Sequence, residues 1–526
     1  MTTESAPPPR PRVGGLMAST LVVSSMTLLS RVLGLVRDVV LARLLGASAG
    51  TDAFFVAFRI PNFLRRLFAE GAFNQAFVPV LAEYKNAGSF AATKLLVDRV
   101  AGTLGFALTL VTVIGVAGAP LLISLFAPGF GDDPVKRALT VDMLRVTFPY
   151  LFFIALTAFS GSILNTWGRF AVPAFTPVLL NISLIAAALF ATPFFVDGEK
   201  AKALAWGVLV AGVVQLLFQL PFLARIGLMP APKVAWQDSG VRKILALMAP
   251  AIFGVSVSQI NLLLDTVLAS LLETGSVTWL YYADRLTELP LGIFAIAIGT
   301  VILPSLSRTH AAQSPQAFSQ MLDWGMRLVL LVGVPAALAM AVIAEPLLST
   351  LFRYGEFSGH DVAQAARALT AYSVGVVAFM LIKVVAPGYF ARQDTKTPVK
   401  IGIIAMVANM VFNLILVWEW RHAGLALATS LSAWLNAWLL WRGLKVAGIY
   451  QPAAGWRGYL LKLLLAGGAM SAVIVWLTRQ YAVWVDGLAW QRAVFMLLVV
   501  LAGALVYFAG LALLGVKPRH FRRGTV

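Results

Sequence analysis

Runs of about 20 mostly apolar residues recur from Leu16 almost to the C-terminus, about 14 of them by that length criterion. No other feature narrows the fold as far. In hydrocarbon every backbone N–H and C=O must be satisfied without water, which makes each run a helix. The expected fold class is an all-α polytopic membrane protein. Composition agrees, because 60% of the 526 residues are hydrophobic and only 12% are charged. A soluble domain of that size would expose far more charge. The formal charge of +18 is scattered in short clusters between apolar runs, as topology determinants are, so nucleic acid is not an expected partner.

The loops alternate in character. "RIGLMPAPKVAWQDSGVRK", "ARQDTKTPVK", "WRGLKVAGIYQPAAGWRGYLLK" and the terminal "KPRHFRR" are basic, whereas "GFGDDPVKR", "FVDGEKAK", "RYGEFSGHD" and "VWVDG" balance acids against bases. The positive-inside rule puts both termini and the first set in the cytoplasm. Residues 1–15 are polar and Pro-rich and read as a disordered cytoplasmic tail.

An internal repeat organises the rest. "DVVLARLL" at Asp38–Leu45 recurs as "DTVLASLL" at Asp265–Leu272, Pro79 in "FVPVL" answers Pro304 in "ILPSL", and "GRFAVP" falls opposite "QDTKTP". The three pairs share one order and nearly one offset. The expectation is two six-helix halves, 16–226 and 227–446, around a central cavity, followed by two additional helices and a basic tail in 447–526. Transporters of this kind bind substrate between the halves and alternate access by rocking.

Charge inside the membrane marks the function. Arg31, Arg37, Asp38 and Arg43 lie in the first apolar run, where each charge costs roughly 2.5 to 3.5 kcal/mol at a helix centre. An ion pair of Arg37 with Asp38 explains one charge of each sign but leaves Arg31 over. The second run carries Asp52, Arg59, Arg65, Arg66 and Glu70, and Pro61–Asn62 marks a local break that frees backbone groups toward a polar cavity. In the eighth, Arg285 can be held by Glu288 three residues on. Arg31, Arg37 and Arg285 would form a cationic floor suited to phosphate or pyrophosphate, since guanidinium binds such oxygens bidentately and stays charged.

A second constellation, Asp265, Asn409, Asn413, Thr429 and the carbonyl of Leu425, offers only oxygens to a small cation such as sodium, or to a proton. The alternative is that the asparagines are interhelical hydrogen-bond glue. There is no cysteine, no nucleotide loop and no nucleophile elbow, so the chain reads as a transporter and not an enzyme, driven by membrane potential or an ion gradient.

"SSMTLLSRVLGLVRDVVLARLLGASAGTDAFFVAFRIPNFLRRLFAEGAFNQAFVPVLAEY", "SVTWLYYADRLTELP" and "ARQDTKTPVKI" closely resemble the MurJ (MviN) family of lipid II flippases, within the multidrug/oligosaccharidyl-lipid/polysaccharide exporter superfamily. The resemblance runs from about Leu16 to the C-terminus. It implies a 14-helix protein of the bacterial inner membrane that carries undecaprenyl-pyrophosphate-linked disaccharide-pentapeptide to the periplasmic leaflet for peptidoglycan synthesis. Its partners would then be lipid II, membrane lipids and cell-wall synthesis and division proteins. By motif, the family's essential arginines fall on Arg31, Arg37 and Arg285, with Asp38 and Arg65 beside them and Asp52 and Glu288 on further family positions. The resemblance also implies a lipid-tail groove in the last two helices, and a sodium site in some members at the positions of Asp265, Asn409, Asn413, Leu425 and Thr429. Rival readings are a flippase for another polyprenyl-pyrophosphate oligosaccharide, a drug exporter (against which the basic cavity argues), a non-transporting cell-wall scaffold, and a polyprenyl-phosphate transferase.

Overall fold

The computed structural model describes residues 13–292, 296–480, 484 and 487–516. Among the described residues the secondary structure is helical, with no strand. In chain order the helices are α1 (Val13–Leu45), α2 (Ala49–Leu64), α3 (Asn74–Asn86), α4 (Phe90–Ala117), α5 (Ala119–Phe126) and α6 (Pro134–Thr147). Next come α7 (Tyr150–Thr166), α8 (Ala171–Ala186), α9 (Lys202–Arg225), α10 (Ser239–Ser270), α11 (Ser276–Pro290) and α12 (Ile296–Ala311). The last are α13 (Pro315–Val342), α14 (Ala344–Phe352), α15 (Gly359–Phe390), α16 (Lys396–Val446), α17 (Trp456–Gln480) and α18 (Ala489–Leu513). Nine helical stretches among the described residues are long and apolar enough to cross a membrane. One is the 51-residue α16, which Arg421 breaks into two limbs at φ 52° and ψ −134°. At that break a Cβ on Gly424 would overlap the Leu416 carbonyl oxygen, so the close approach of the limbs needs glycine.

Local chemistry sets several helix starts. Ser89 accepts the Ala92 amide at 3.2 Å ahead of α4, and Asp133 accepts the Val135 and Lys136 amides at 3.0 Å ahead of Pro134. Ser358 and Asp361 form a reciprocal capping box at α15. After Pro61 and Asn62, the α2 helix passes into a π-helical stretch, Arg65–Phe73, the local break expected at that point.

The chain divides into two compact units. The first comprises the chain up to Leu41, Ala53–Ser124 and Asp133–Ser256. Its core joins Phe73, Phe77 and Phe159 with Val97, Val100 and Leu164. The segment between α9 and α10 is strapped along α4. Ala231 N donates to Asp98 Oδ1 at 2.7 Å, Lys233 N to Asp98 O at 2.9 Å, and Ala235 N to Thr103 Oγ1 at 3.0 Å. Arg99 pairs with Asp238, whose other oxygen caps α10 through the Gly240 and Val241 amides at 3.0 and 3.1 Å. A Cβ on Gly102 would collide with the Lys233 backbone, so this strap lies directly on the helix.

The second unit comprises Ala42–Asp52, Leu125–Asp132 and the chain from Val257 onward. Where lipid removes the usual hydrophobic drive between helices, close approach and interhelical hydrogen bonds hold them together. Gly375 on α15 and Ser430 on α16 illustrate this. Ser430 Oγ donates to Ala371 O at 2.8 Å, and a Cβ on Gly375 would crowd that hydroxyl. Leu463, Met470 and Ile474 of α17 and Val499, Tyr507 and Leu511 of α18 pack with Leu330 of α13 in one cluster, while Leu464, Leu501, Leu505 and Phe508 stay exposed, as lipid-facing side chains do.

A polar hub anchors this pair. Buried Asp323 on α13 accepts Tyr450 Oη and Trp456 Nε1, both at 2.7 Å, and the Ala453 amide at 3.3 Å on one oxygen, and Arg327 Nε at 2.7 Å on the other. Arg327 also lies 5.0 Å over the Trp456 ring. Burial, followed by the hydrogen bond to Asp323, pushes the Tyr450 phenol well above its ordinary range.

Candidate functional site

In the first unit the charges of α1 fall into two environments. Arg37 and Asp38 are buried, 6% and 1% exposed. Arg37 donates from Nε at 2.9 Å and Nη2 at 2.6 Å to Asp38 Oδ1, and from Nη1 to Asn181 Oδ1 at 3.1 Å. Asn181 on α8 returns its own Nδ2 to the Ser30 carbonyl at 2.9 Å, so one amide ties α8 to two turns of α1. The ion pair considered from the sequence is therefore formed, and Asn181 completes it. That residue escaped the sequence reading. Its signal was a lone amide inside the apolar "TPVLLNISLI", where an asparagine must find a partner.

Arg31 is half-buried on the same helix and, among the described residues, makes no side-chain hydrogen bond or ion pair. It is the charge the ion pair leaves over. Arg43 is exposed, in keeping with a snorkelling role near the helix end. Half-buried Arg65 donates from Nε to Asn62 Oδ1 at 2.8 Å, joining the two candidates at the π-helical break.

In the second unit Arg285 and Glu288 make the expected i,i+3 pair on α11, Nη1 to Oε2 at 3.2 Å, with side chains 37% and 53% exposed. Asp52 has a different surrounding. Its carboxylate is buried and accepts the Gly275 amide at 2.8 Å, the Thr278 amide at 3.0 Å and Thr278 Oγ1 at 2.7 Å. It therefore caps α11, the helix that carries Arg285 and Glu288, and its oxygens are engaged by that task.

The oxygen constellation also assembles in this unit. Asn413 Nδ2 bridges Asp265 Oδ1 at 2.8 Å and Asn409 Oδ1 at 2.9 Å. Thr429 Oγ1 lies 3.5 Å from Asp265 Oδ2 and 3.0 Å from the Leu425 carbonyl, and Asn409 Nδ2 reaches Thr429 Oγ1 at 3.3 Å. Both asparagines are wholly buried, and among the described residues Asn413 Oδ1 has no hydrogen-bond partner. A buried acceptor without a donor is costly, and this one belongs to the side chain that joins Asp265 to Asn409. The set holds one carboxylate, and no group of three or more His, Cys, Asp or Glu side chains suited to a metal occurs among the described residues. The donor set thus fits a hard monovalent cation better than a divalent or thiophilic one.

Comparison with known proteins adds to this geometry. The family model described as lipid II flippase MurJ matches residues 41–495. A probable lipid II flippase MurJ of Vibrio cholerae is 51% identical over 97% of this chain and 98% of its own length. The lipid II flippase MurJ of Burkholderia cenocepacia is 45% identical over 97% of this chain and 99% of its own. Among solved structures, a lipid II flippase MurJ in an inward closed conformation superposes with a TM-score of 0.78 at 27% identity, covering 94% of this chain and 98% of that one. An inward-facing multidrug transporter of the MATE family shares the fold at a TM-score of 0.65 and 16% identity, over 82% of this chain and 98% of that one.

Proposed function

The chain belongs to the lipid II flippase MurJ family and is a lipid II flippase, and from that premise we propose how its own charges serve the task. Arg37 and Arg31 engage the pyrophosphate of the substrate, and Arg285 of the second unit is a further phosphate-recognising cation. The observation that carries this reading is the juxtaposition on α1 of Arg37, buried and held by Asp38 and Asn181, and Arg31, half-buried and, among the described residues, without such a partner. An uncompensated guanidinium deep in the bilayer is expensive, and Asp38 offsets that cost while no anion is bound. A pyrophosphate supplies the same charge from more oxygens. It can share the outer guanidinium edge of Arg37 and bind Arg31 outright.

The undecaprenyl chain remains in lipid while the head group crosses from the cytoplasmic to the periplasmic leaflet by alternating access, for delivery to the cell-wall synthesis and division machinery. The protein sits in the inner membrane with both termini cytoplasmic, a reading supported by the distribution of basic loops. Asp265, Asn409, Asn413, Thr429 and the Leu425 carbonyl would hold a sodium ion, which supplies a positive charge opposite Asp265 and couples the cycle to an ion gradient. The orphaned Asn413 oxygen supports that assignment.

The test is leaflet accessibility of lipid II in cells depleted of this protein, read by an externally added enzyme that cleaves the exposed head group. Loss of cleavage on depletion, restored by wild type but not by Arg37→Ala at equal membrane abundance, is expected. Unchanged cleavage on depletion, with no second flippase present, would turn the assignment toward another oligosaccharide or a scaffold.

A further inference from the structure

Within the first unit lies an apolar cavity of about 240 Å3, bounded by α4, α7, the first turns of α10 and the strap that precedes α10. Leu104, Ala107, Leu108 and Leu151 are among the side chains that line it. Thr103 carries the one hydroxyl among its lining residues, and that hydroxyl already accepts the Ala235 amide. Water entering would find almost no hydrogen-bond partners. The mouth is built from Val111, Trp236 and Leu245, which are 40%, 42% and 42% exposed, so the cavity opens onto surface that is itself apolar.

Depth identifies the occupant. The α4 wall runs from Val100 to Val111, which at 1.5 Å per residue is about 16 Å, close to half the ~30 Å hydrocarbon thickness. Immediately before Val100 come Lys94, Asp98 and Arg99, all in ion pairs, which mark where the helix leaves hydrocarbon. Trp236 stands deeper along α4, edge-on to Phe106 at 6.2 Å, beside the middle of the cavity wall. The cavity therefore spans one leaflet and ends at a headgroup plane. At that plane the chain presents exposed Lys233, three residues before Trp236, and exposed Arg242, next to the lining residue Val241.

We propose that this cavity holds one acyl chain of an anionic phospholipid, with Lys233 and Arg242 meeting the headgroup phosphate. The lipid would pack the seam between α4, α7 and α10 and hold the strap in place, with Trp236 as its cover. The site is separate from the residues assigned to the substrate, because none of its lining residues is among them.

The experiment uses the full chain reconstituted in phosphatidylcholine vesicles containing either phosphatidylglycerol or phosphatidylcholine with brominated chains, which quench tryptophan on contact. The difference between wild type and Trp236→Phe isolates the Trp236 signal. Brominated phosphatidylglycerol should quench that signal more than brominated phosphatidylcholine, with each of the two cations contributing about a fivefold preference. Lys233→Gln with Arg242→Gln, both surface changes, should abolish the preference. Ala107→Phe, which fills the cavity, should reduce quenching by both lipids. A Trp236 signal quenched by neither lipid would overturn the proposal. So would equal quenching by both in the wild type, which would indicate ordinary annular lipid. Neither result depends on flipping, so failure here leaves the transport assignment standing.

Discussion

Asp38→Asn isolates the energetic problem that α1 has solved. The substitution keeps the shape and one acceptor but removes the negative charge. Arg37 sends two of its three hydrogen bonds described above to Asp38, and both side chains are nearly inaccessible, at 7% and 1%. Asn181 remains, but an amide oxygen cannot neutralise a guanidinium. Breaking a buried pair by deleting one partner costs about 3–5 kcal/mol, whereas replacing both by apolar groups of similar volume is often neutral or stabilising. Asp38→Asn should therefore destabilise the protein by that amount, while Arg37→Met combined with Asp38→Leu should recover most of it. The exposed pair Lys243–Glu83, 50% and 57% accessible, serves as the control, and Glu83→Gln should cost about 1 kcal/mol or less. Unfolding in mixed detergent micelles measures stability, and complementation of depleted cells measures function. The double variant should be stable yet unable to support growth, which separates substrate recognition from structural upkeep. A double variant as unstable as Asp38→Asn, or an Asp38→Asn protein within about 1 kcal/mol of wild type, would refute the claim that a buried charge is being compensated.

Three further outcomes follow from the geometry. Asp52→Ala removes the acceptor for the Gly275 and Thr278 amides and should cost about 0.5–2 kcal/mol as a lost cap, with Thr278→Val recovering none of it in thermal unfolding. Sodium at about a hundredfold its dissociation constant should stabilise the wild type by about 2.7 kcal/mol; Asp265→Ala should erase that salt-specific gain, and equal stabilisation by potassium and sodium in both proteins would count against the site. Tyr450 should keep its proton at pH values where exposed tyrosines ionise, near 10. Its contribution to stability is complete below that range and is lost only as the pH climbs toward its raised value, which a Tyr450→Phe difference in alkaline ultraviolet titration will check.

The sequence announced what depends on local spacing. The apolar runs give helices, Pro61 and Asn62 precede the π-helical stretch, and Arg285 meets Glu288 because i and i+3 share a face. It was silent where the partner is distant. Arg37 and Asn181 stand 144 positions apart, and nothing in the periodicity of α1 points to α8. Asp52 shows a subtler limit. An acid in the first turn of an apolar helix looks like a cavity charge, yet its three donors come from Gly275 and Thr278, more than 200 residues later. The strap was read only as a basic loop, because its hydrogen bonds to Asp98 and Thr103 are made by backbone amides that any side chain could accompany.

The hub at Asp323 has a consequence for the order in which the chain is made. Asp323 leaves the ribosome more than 120 residues before Tyr450, Ala453 and Trp456. Until they emerge, the Asp323 carboxylate has only Arg327, four positions away, among the partners described above. The nascent protein therefore carries an open acceptor that the linker and the first residue of α17 close. A ribosome stalled before residue 450 would hold a chain whose earlier helices are all present yet whose α13 is still polar on a face meant for packing. Arrival of the linker and of Trp456 fills that acceptor and completes the packing face.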